Sequence, residues 1–360
     1  MKTLFINRKD EIKQLTDGLI NNKDYVIIAP RRYGKTTLVN KVLNNLALEN
    51  GYVIVNIDLM SYTSGSIESV AECIIEKSLN TLGFSGKLRK IWDNMDFTFN
   101  LRLKYQDLEI DSLFQLFKGN NEWELLEKAL ELPEKIAKFE NKKIVVFYDE
   151  FGELNKLSIK AIELFYSVIQ RHKNVSYVFS GSQETVMNKI FLDKAGAFYR
   201  FGEIMYLKGL SKQDVYTYIH ENFSEIGNNS AGLKEFRNFD IILEQLNGHP
   251  LYIAQAVSFF KENPKCTYEE FHGYLINVMF ENTRPLLEQQ LINISEKQHA
   301  IDVLRILAFN QNPYQEINSI KESHVGNVLR YLENAGYIRR ESRGVYKITD
   351  PLLTILLNNY

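Results

Sequence analysis

Two cysteines in 360 residues cannot build a disulfide framework. Cys73 and Cys266 lie far apart and have no His or Cys neighbours at metal-ligand spacing, so no zinc site is suggested either. Long apolar runs are also missing. The longest, 26–29, 52–55 and 144–148, have the length of buried strands, whereas a membrane span needs roughly 20 residues, and no transmembrane helix is expected. The first eleven residues carry no apolar stretch followed by a small-residue cleavage site, which makes the cytoplasm the expected location. Nor does one sign of charge dominate: 43 Lys+Arg face 45 Asp+Glu, a formal net charge of −2. That near-cancellation excludes coating of nucleic acid or membrane by bulk charge and confines any nucleic-acid site to a local patch.

What is present is an ordinary globular composition, 45% hydrophobic and 24% charged, long enough for two or three domains with real cores. Strand-like runs at 25–29, 52–59, 144–149, 175–180 and 203–207 alternate with helical patterns at 9–21, 36–49, 67–81, 122–139 and 158–171. The strands are rich in Val, Ile, Phe and Tyr without polar alternation, as befits a parallel sheet covered on both faces. Residues 85–121 show only partial alternation and read as a hairpin or a lid-like insertion. After Leu210 helices predominate, beginning with a capping box at Ser211 and Asp214. Thr283-Arg284-Pro285 reads as a boundary. Beyond it come helices at 297–309, 314–320 and 322–334, then strands at 337–340 and 345–348, the order of a winged helix-turn-helix. The expected division is 1–209, 210–284 and 285–360.

The informative stretch is Ala29-Pro30-Arg31-Arg32-Tyr33-Gly34-Lys35-Thr36-Thr37, set between a buried strand and an amphipathic helix. A tight loop there turns backbone amides onto β- and γ-phosphates, and the helix N-terminus adds partial positive charge. Gly34 permits close approach, Lys35 reaches phosphate oxygens, and the Thr36 hydroxyl ligates Mg2+. Ala29 stands where the strict pattern has Gly. The strand at 144–149 ends in Asp149-Glu150, at the carboxyl edge where an open parallel sheet presents its ligand crevice. Asp149 is expected to hold Mg2+ through its water shell and Glu150 to orient and deprotonate the attacking water, so Lys35, Asp149 and Glu150 are the candidate catalytic residues. Phe179-Ser180-Gly181-Ser182-Gln183 follows another buried strand. Its Ser182 hydroxyl is either a γ-phosphate sensor or part of a small-residue turn.

Together these residues resemble the archaeal-type ATPase family, a branch of the signal-transduction ATPases with numerous domains that lies near AAA+ proteins. Phe5-Ile6-Asn7-Arg8-Lys9-Asp10-Glu11 is similar to its lead-in, with Asn7 in place of the usual Gly; Gly248-His249-Pro250 and Tyr346-Lys347-Ile348-Thr349-Asp350-Pro351 are similar to its later motifs. The resemblance implies an α/β fold with a P-loop NTPase parallel-sheet core, a helical lid and a C-terminal winged helix-turn-helix. It further implies a strand inserted between the phosphate-loop strand and the acidic strand, adenine held between core and lid, ATP and Mg2+ as cofactors, and nucleotide control of domain arrangement. Arg200, just before the fifth strand, is either an arginine that reaches a neighbouring subunit's γ-phosphate or a surface residue beside Tyr199 and Phe201. His249-Pro250 is either a nucleotide contact or a helix-start turn.

From Pro285 to Tyr360 eight basic and eight acidic residues cancel. Arg339, Arg340, Arg343 and Lys347 concentrate on the wing, so a DNA footprint is one reading and a protein contact or packing on the core the other. Three functions remain open: an ATP-hydrolysing switch, a DNA-binding ATPase resembling origin-recognition initiators, and a nucleotide-binding interaction module without appreciable hydrolysis.

Overall fold

The computed structural model describes residues 8–61, 66–81, 121–222, 241, 243–263, 266–316 and 321–358. Phe5-Ile6-Asn7 and nearly all of the 85–121 stretch lie outside the described residues. Strands β1 (Tyr25–Ile28), β2 (Val53–Asp58), β3 (Ile144–Asp149), β4 (Val175–Gly181) and β5 (Glu203–Tyr206) form a parallel sheet in the order β2-β3-β4-β1-β5. β4 thus sits between the phosphate-loop strand and the acidic strand, in register Ile28↔Gly181 and Tyr148↔Phe179.

Every residue of β1, β3 and β4 is buried, because helices cover both faces. One face packs on α1 (Lys9–Ile20) and α2 (Lys35–Asn50) through Leu15, Leu19, Leu38, Val42 and Leu43. The other packs on α3 (Ile67–Asn80), α4 (Glu122–Glu140), α5 (Ile159–Ile169) and α6 (Glu184–Phe191). On that face Tyr148, Phe151, Phe165, Phe179 and Phe198 make edge and stacked ring contacts, such as Phe151–Phe179 at 4.6 Å. Truncating any of these phenylalanines to Ala would cost about 3–5 kcal/mol. Gly18 in α1 is required by packing, since a Cβ there would fall 1.9 Å from the Tyr25 hydroxyl.

Beyond the sheet, α7 (Lys212–Asn222) opens on the expected capping box: the Ser211 amide donates to Asp214 Oδ2 at 3.1 Å and the Asp214 amide to Ser211 Oγ at 3.1 Å. α8 (Pro250–Glu262) follows the Gly248-His249 turn. α9 (Tyr268–Tyr274), a π-helical stretch (Leu275–Phe280) and α10 (Glu281–Ser295) then run on without a break. Thr283, Arg284 and Pro285, where the sequence places a boundary, all lie inside α10. The Thr283 hydroxyl donates to the Met279 carbonyl at 2.8 Å and Arg284 pairs with Glu281 and Glu288, contacts that hold the turn across the proline.

α11 (Ala300–Ala308), α12 (Pro313–Glu316) and α13 (Glu322–Asn334) lead into an antiparallel hairpin of β6 (Ile338–Ser342) and β7 (Val345–Ile348). Gly344, at φ 79°, supplies the left-handed residue of its turn. A last helix, α14 (Pro351–Asn358), starts on a proline whose fixed φ suits the first helical position. Buried residues from Leu210 to Leu357 form one apolar cluster, so the helices after the sheet and the C-terminal helix–hairpin module share a core. Among the described residues, no helix is long and apolar enough to cross a membrane.

Candidate functional site

The carboxyl ends of β1, β3 and β4 converge on the loop between β1 and α2. The Ala29 amide donates to the Gly181 carbonyl at 3.4 Å, tying the loop's first residue to β4. Arg32 (φ 64°) and Gly34 (φ 83°) both adopt left-handed backbone, which carries no penalty for glycine and about 1–2 kcal/mol for arginine. α2 begins at Lys35, so its free amides and partial positive charge face the loop.

Lys35 is 5% exposed. Its Nζ donates to the Ala29 carbonyl at 3.0 Å and the Pro30 carbonyl at 3.2 Å, and lies 3.6 Å from Glu150 Oε1. Burial pulls its pKa below the ordinary lysine value, with Glu150 and Asp149 opposing. Thr36 Oγ1 donates to Asp149 Oδ2 at 2.5 Å, while the Ser180 hydroxyl donates to Asp149 Oδ1. Glu150 is held at φ 52°, and its Oε2 accepts from the Ser182 amide at 2.9 Å and its hydroxyl at 2.8 Å. Gln183 Nε2 donates to buried Glu153 at 2.9 Å.

A cleft of about 380 Å³ opens over the loop. It is lined by the loop residues Arg31, Arg32, Tyr33, Gly34, Thr36 and Thr37 with Lys35 and Glu150, and by the apolar residues Met60, Leu210, Pro250, Leu251 and Ala254 from separate segments. Arg8 ties the loop to the segment after β5: its Nη2 donates to the Lys208 carbonyl at 2.8 Å and the Tyr33 carbonyl at 3.4 Å, and its Nη1 pairs with Glu11 at 3.0 Å. A lining that combines cations and helix amides with apolar side chains suits a ligand that carries both a polyanionic group and a flat, weakly polar one.

Lys35, Thr36, Asp149, Glu150 and Ser182, nominated from three separate sequence stretches, therefore meet within hydrogen-bonding range or one ion pair of one another. Ala29 and Pro30 contribute carbonyls rather than cleft wall. His249 stands beside the site, its ring 5.1 Å from Tyr33 and 4.3 Å from Tyr252, while its neighbours Pro250 and Leu251 reach the cleft. Arg200 is exposed at the amino end of β5, next to the Asp24 and Gly202 turn and over the Tyr199 ring, on the edge of the sheet opposite the loop. Of the two hydroxyls at the end of β4, that of Ser180 meets Asp149 and that of Ser182 meets Glu150. The apolar lining carried no local signal, because Met60, Leu210 and Leu251 come from three distant segments.

A family model for an ATPase domain predominantly from Archaea matches residues 5–256. An ATP-binding protein of Methanocaldococcus jannaschii is 21% identical, with 89% of each chain covered. Among solved structures, a Walker-type ATPase of Pyrococcus abyssi superposes with a TM-score of 0.65 at 17% identity, covering 98% of this chain and 96% of that one. The ORC2 protein of Aeropyrum pernix, in complexes with ADPNP and ADP, gives 0.55 at 13% identity, covering 100% and 96%. At these identities the structural likeness is one of fold, and the fold is that of a P-loop ATPase.

Proposed function

The chain belongs to this family of ATPase domains found predominantly in Archaea, and from that premise we propose that it is a magnesium-dependent ATPase that works as a molecular switch. The observation that carries the reading is the meeting of Asp149 with Thr36 and of Glu150 with Lys35, with Thr36, Lys35 and Glu150 lining one cleft. Loop amides, the α2 N-terminus and Lys35 hold the β- and γ-phosphates, and the apolar lining receives adenine. The guanine-reading Asn-Lys-x-Asp string is absent from the sequence, in keeping with adenine.

A hydroxyl and a carboxylate 2.5 Å apart are hard oxygen donors, the set that suits Mg2+, which takes one or two protein ligands and completes its shell with water and phosphate. Thr36 and Asp149 would hold it, and bound there it would neutralise charge on the β- and γ-phosphate oxygens. Glu150 orients a water in line with the γ-phosphorus and takes its proton as the bond to the leaving ADP oxygen breaks. Ser182 sets the direction of that carboxylate. In the domain reading, 1–209 is the ATPase core, the helices after Leu210 form a lid, and the C-terminal helices and hairpin are a winged helix-turn-helix whose placement follows nucleotide state. Contact with protein rather than duplex is supported by the wing cations, since Arg339 pairs with Glu341 at 3.0 Å and Lys347 donates to Asn247 at 2.9 Å.

Lys35→Ala is expected to abolish nucleotide binding, and Glu150→Gln to keep binding while losing turnover. Phosphate release by the unsubstituted protein above the Lys35→Ala background separates the ATPase from a non-hydrolysing module. Hydrolysis by Glu150→Gln at the unsubstituted rate would remove Glu150 as the base.

A further inference from the structure

Glu153 is a buried carboxylate that the chemistry assigned to the site does not use. It stands three residues after Glu150, and its amide donates to the Glu150 carbonyl at 2.9 Å. Its Oε1 accepts from Gln183 Nε2 at 2.9 Å, and its Oε2 pairs with the exposed Lys156. Gln183 in turn follows Ser182, whose amide and hydroxyl both donate to Glu150 Oε2. Four residues thus close a ring: from the Glu150 carboxylate to Ser182, along the chain to Gln183, across to the Glu153 carboxylate, and from the Glu153 amide back to Glu150. Met187, fully buried, packs against it. A Cβ on Gly181 would fall 2.4 Å from the Met187 sulfur and one on Gly152 3.6 Å from it, so Met187 occupies the space that both glycines leave. The Met187 amide donates to the Gln183 carbonyl at 3.0 Å.

Two features set this ring apart from ordinary packing. Glu150 holds left-handed backbone at φ 52°, a conformation that a residue with a side chain keeps only where its surroundings over-determine it. Here the Glu150 amide donates to Asp149 Oδ1 at 3.1 Å, its carbonyl accepts from Glu153 and its carboxylate accepts from Ser182, so backbone and side chain are both tied. Burying the Glu153 carboxylate also costs desolvation that an apolar side chain in its place would not. What carboxylate and amide add is direction, since one N–H and one oxygen meet well over a narrow range of geometry. We propose that Glu153 and Gln183 are positioning residues for hydrolysis: their hydrogen bond fixes the turn that carries Ser182, and through Ser182 the aim of the Glu150 carboxylate. This rests on the reading of Glu150 as the base given above. Neither Glu153 nor Gln183 is among the described residues that line the cleft, so both act on turnover rather than on nucleotide binding.

The test uses the full chain, with phosphate release read as kcat and KM and a fluorescent non-hydrolysable ATP analogue read as affinity. Gln183→Ala opens the ring and leaves both Ser182 donors on a looser turn. It is expected to lower kcat roughly 10- to 100-fold, the scale of misplacing a reacting group by about 1 Å, with KM and analogue affinity changed by no more than about twofold. Gln183→Glu sets two carboxylates against each other and is expected to lose as much. The double variant Glu153→Gln, Gln183→Glu is expected to recover to within about threefold, because amide and carboxylate have traded places. The exchanged pair keeps both side-chain volumes and so tests the contact should truncation weaken the fold. In a Glu150→Gln background, where no base is left to aim, Gln183→Ala is expected to change the residual single-turnover rate by less than about twofold, which a merely structural role would not produce. Unchanged kcat in Gln183→Ala, analogue affinity falling as far as kcat, no recovery by the exchange, or equal loss in both backgrounds would overturn the proposal and leave the ATPase reading intact. Hydrolysis by Glu150→Gln at the unsubstituted rate would overturn the base assignment and the proposal together.

Discussion

The two sides of the phosphate loop treat their buried polar atoms differently. Toward β3 and β4, Asp149 accepts from the hydroxyls of Thr36 and Ser180, and Glu150 accepts twice from Ser182 and faces Lys35. Toward α8, the Tyr33 hydroxyl and His249 Nδ1 are buried and find no partner among the described residues on any other residue. A buried polar atom left unpaired costs about 1–3 kcal/mol, so the carboxylates of the first side have little to gain by moving, whereas Tyr33 and His249 on the second have something to gain. The partnered side is held in a fixed geometry by these hydrogen bonds. The underpartnered side is where a rearrangement is least opposed.

The largest break in this comparison comes from Asp149→Asn. The amide would face two hydroxyls with one oxygen instead of two and would bring no charge to the cation read to sit there. Turnover at saturating ATP is expected to fall roughly 100-fold or more, the scale of removing one group that stabilises transition-state charge. Phosphate release across a magnesium titration measures it. Full activity at ordinary magnesium would show that Asp149 is a strand end held by two serine-type hydroxyls and nothing more.

The opposite side is sharpened by pH. Burial depresses His249 from the ordinary 6.5 to about 3. Below pH 6.5 the unfolded chain takes a proton that the folded one refuses, so the stability contributed by neutral His249 is present above 6.5 and is lost as pH falls toward 3. At about 1.4 kcal/mol per unit, the loss between pH 6.5 and 4 comes to about 3 kcal/mol. His172, depressed to about 4, adds a loss of the same sign, and Asp24, raised to about 6, acts in the opposite sense. His249→Phe retains the ring on Tyr252 and removes only the titration. Denaturant melts from pH 7 to 4 are expected to show a flatter profile for that variant, and parallel profiles would place His249 in contact with solvent.

The partnered side was legible in the sequence and the other was not, for a physical reason. Lys35 and Thr36 follow one strand, Asp149 and Glu150 end another, and Ser182 follows a third, so each carries its own local context and parallel topology brings strand ends together. Arg8 reaches a carbonyl 200 residues away and Tyr252 an acid 98 residues away, and no local pattern announces either contact. The sequence marks His249 without deciding between a nucleotide contact and a helix-start turn, because the surroundings of its ring come from Tyr33 and Tyr252 together. A proline cannot donate a helical hydrogen bond, yet Pro285 lies inside a helix. The side chains of Thr283 and Arg284 make contacts within the helix that a residue-by-residue reading does not weigh.

The smallest expected effect tests whether the partnered side is rigid by design. Ser182 holds Glu150 through its amide as well as its hydroxyl, so Ser182→Ala removes one of two hydrogen bonds and leaves the backbone bond in place. A hydrogen bond to a charged group contributes about 1.5–3 kcal/mol when nothing replaces it. Here the retained amide and Lys35 keep the carboxylate near its position, and a three- to tenfold fall in kcat with KM unchanged is expected. A loss as large as that of Asp149→Asn would mean that the hydroxyl itself touches the γ-phosphate or the attacking water. A KM shift without a kcat shift would move Ser182 from positioning the base to binding the nucleotide.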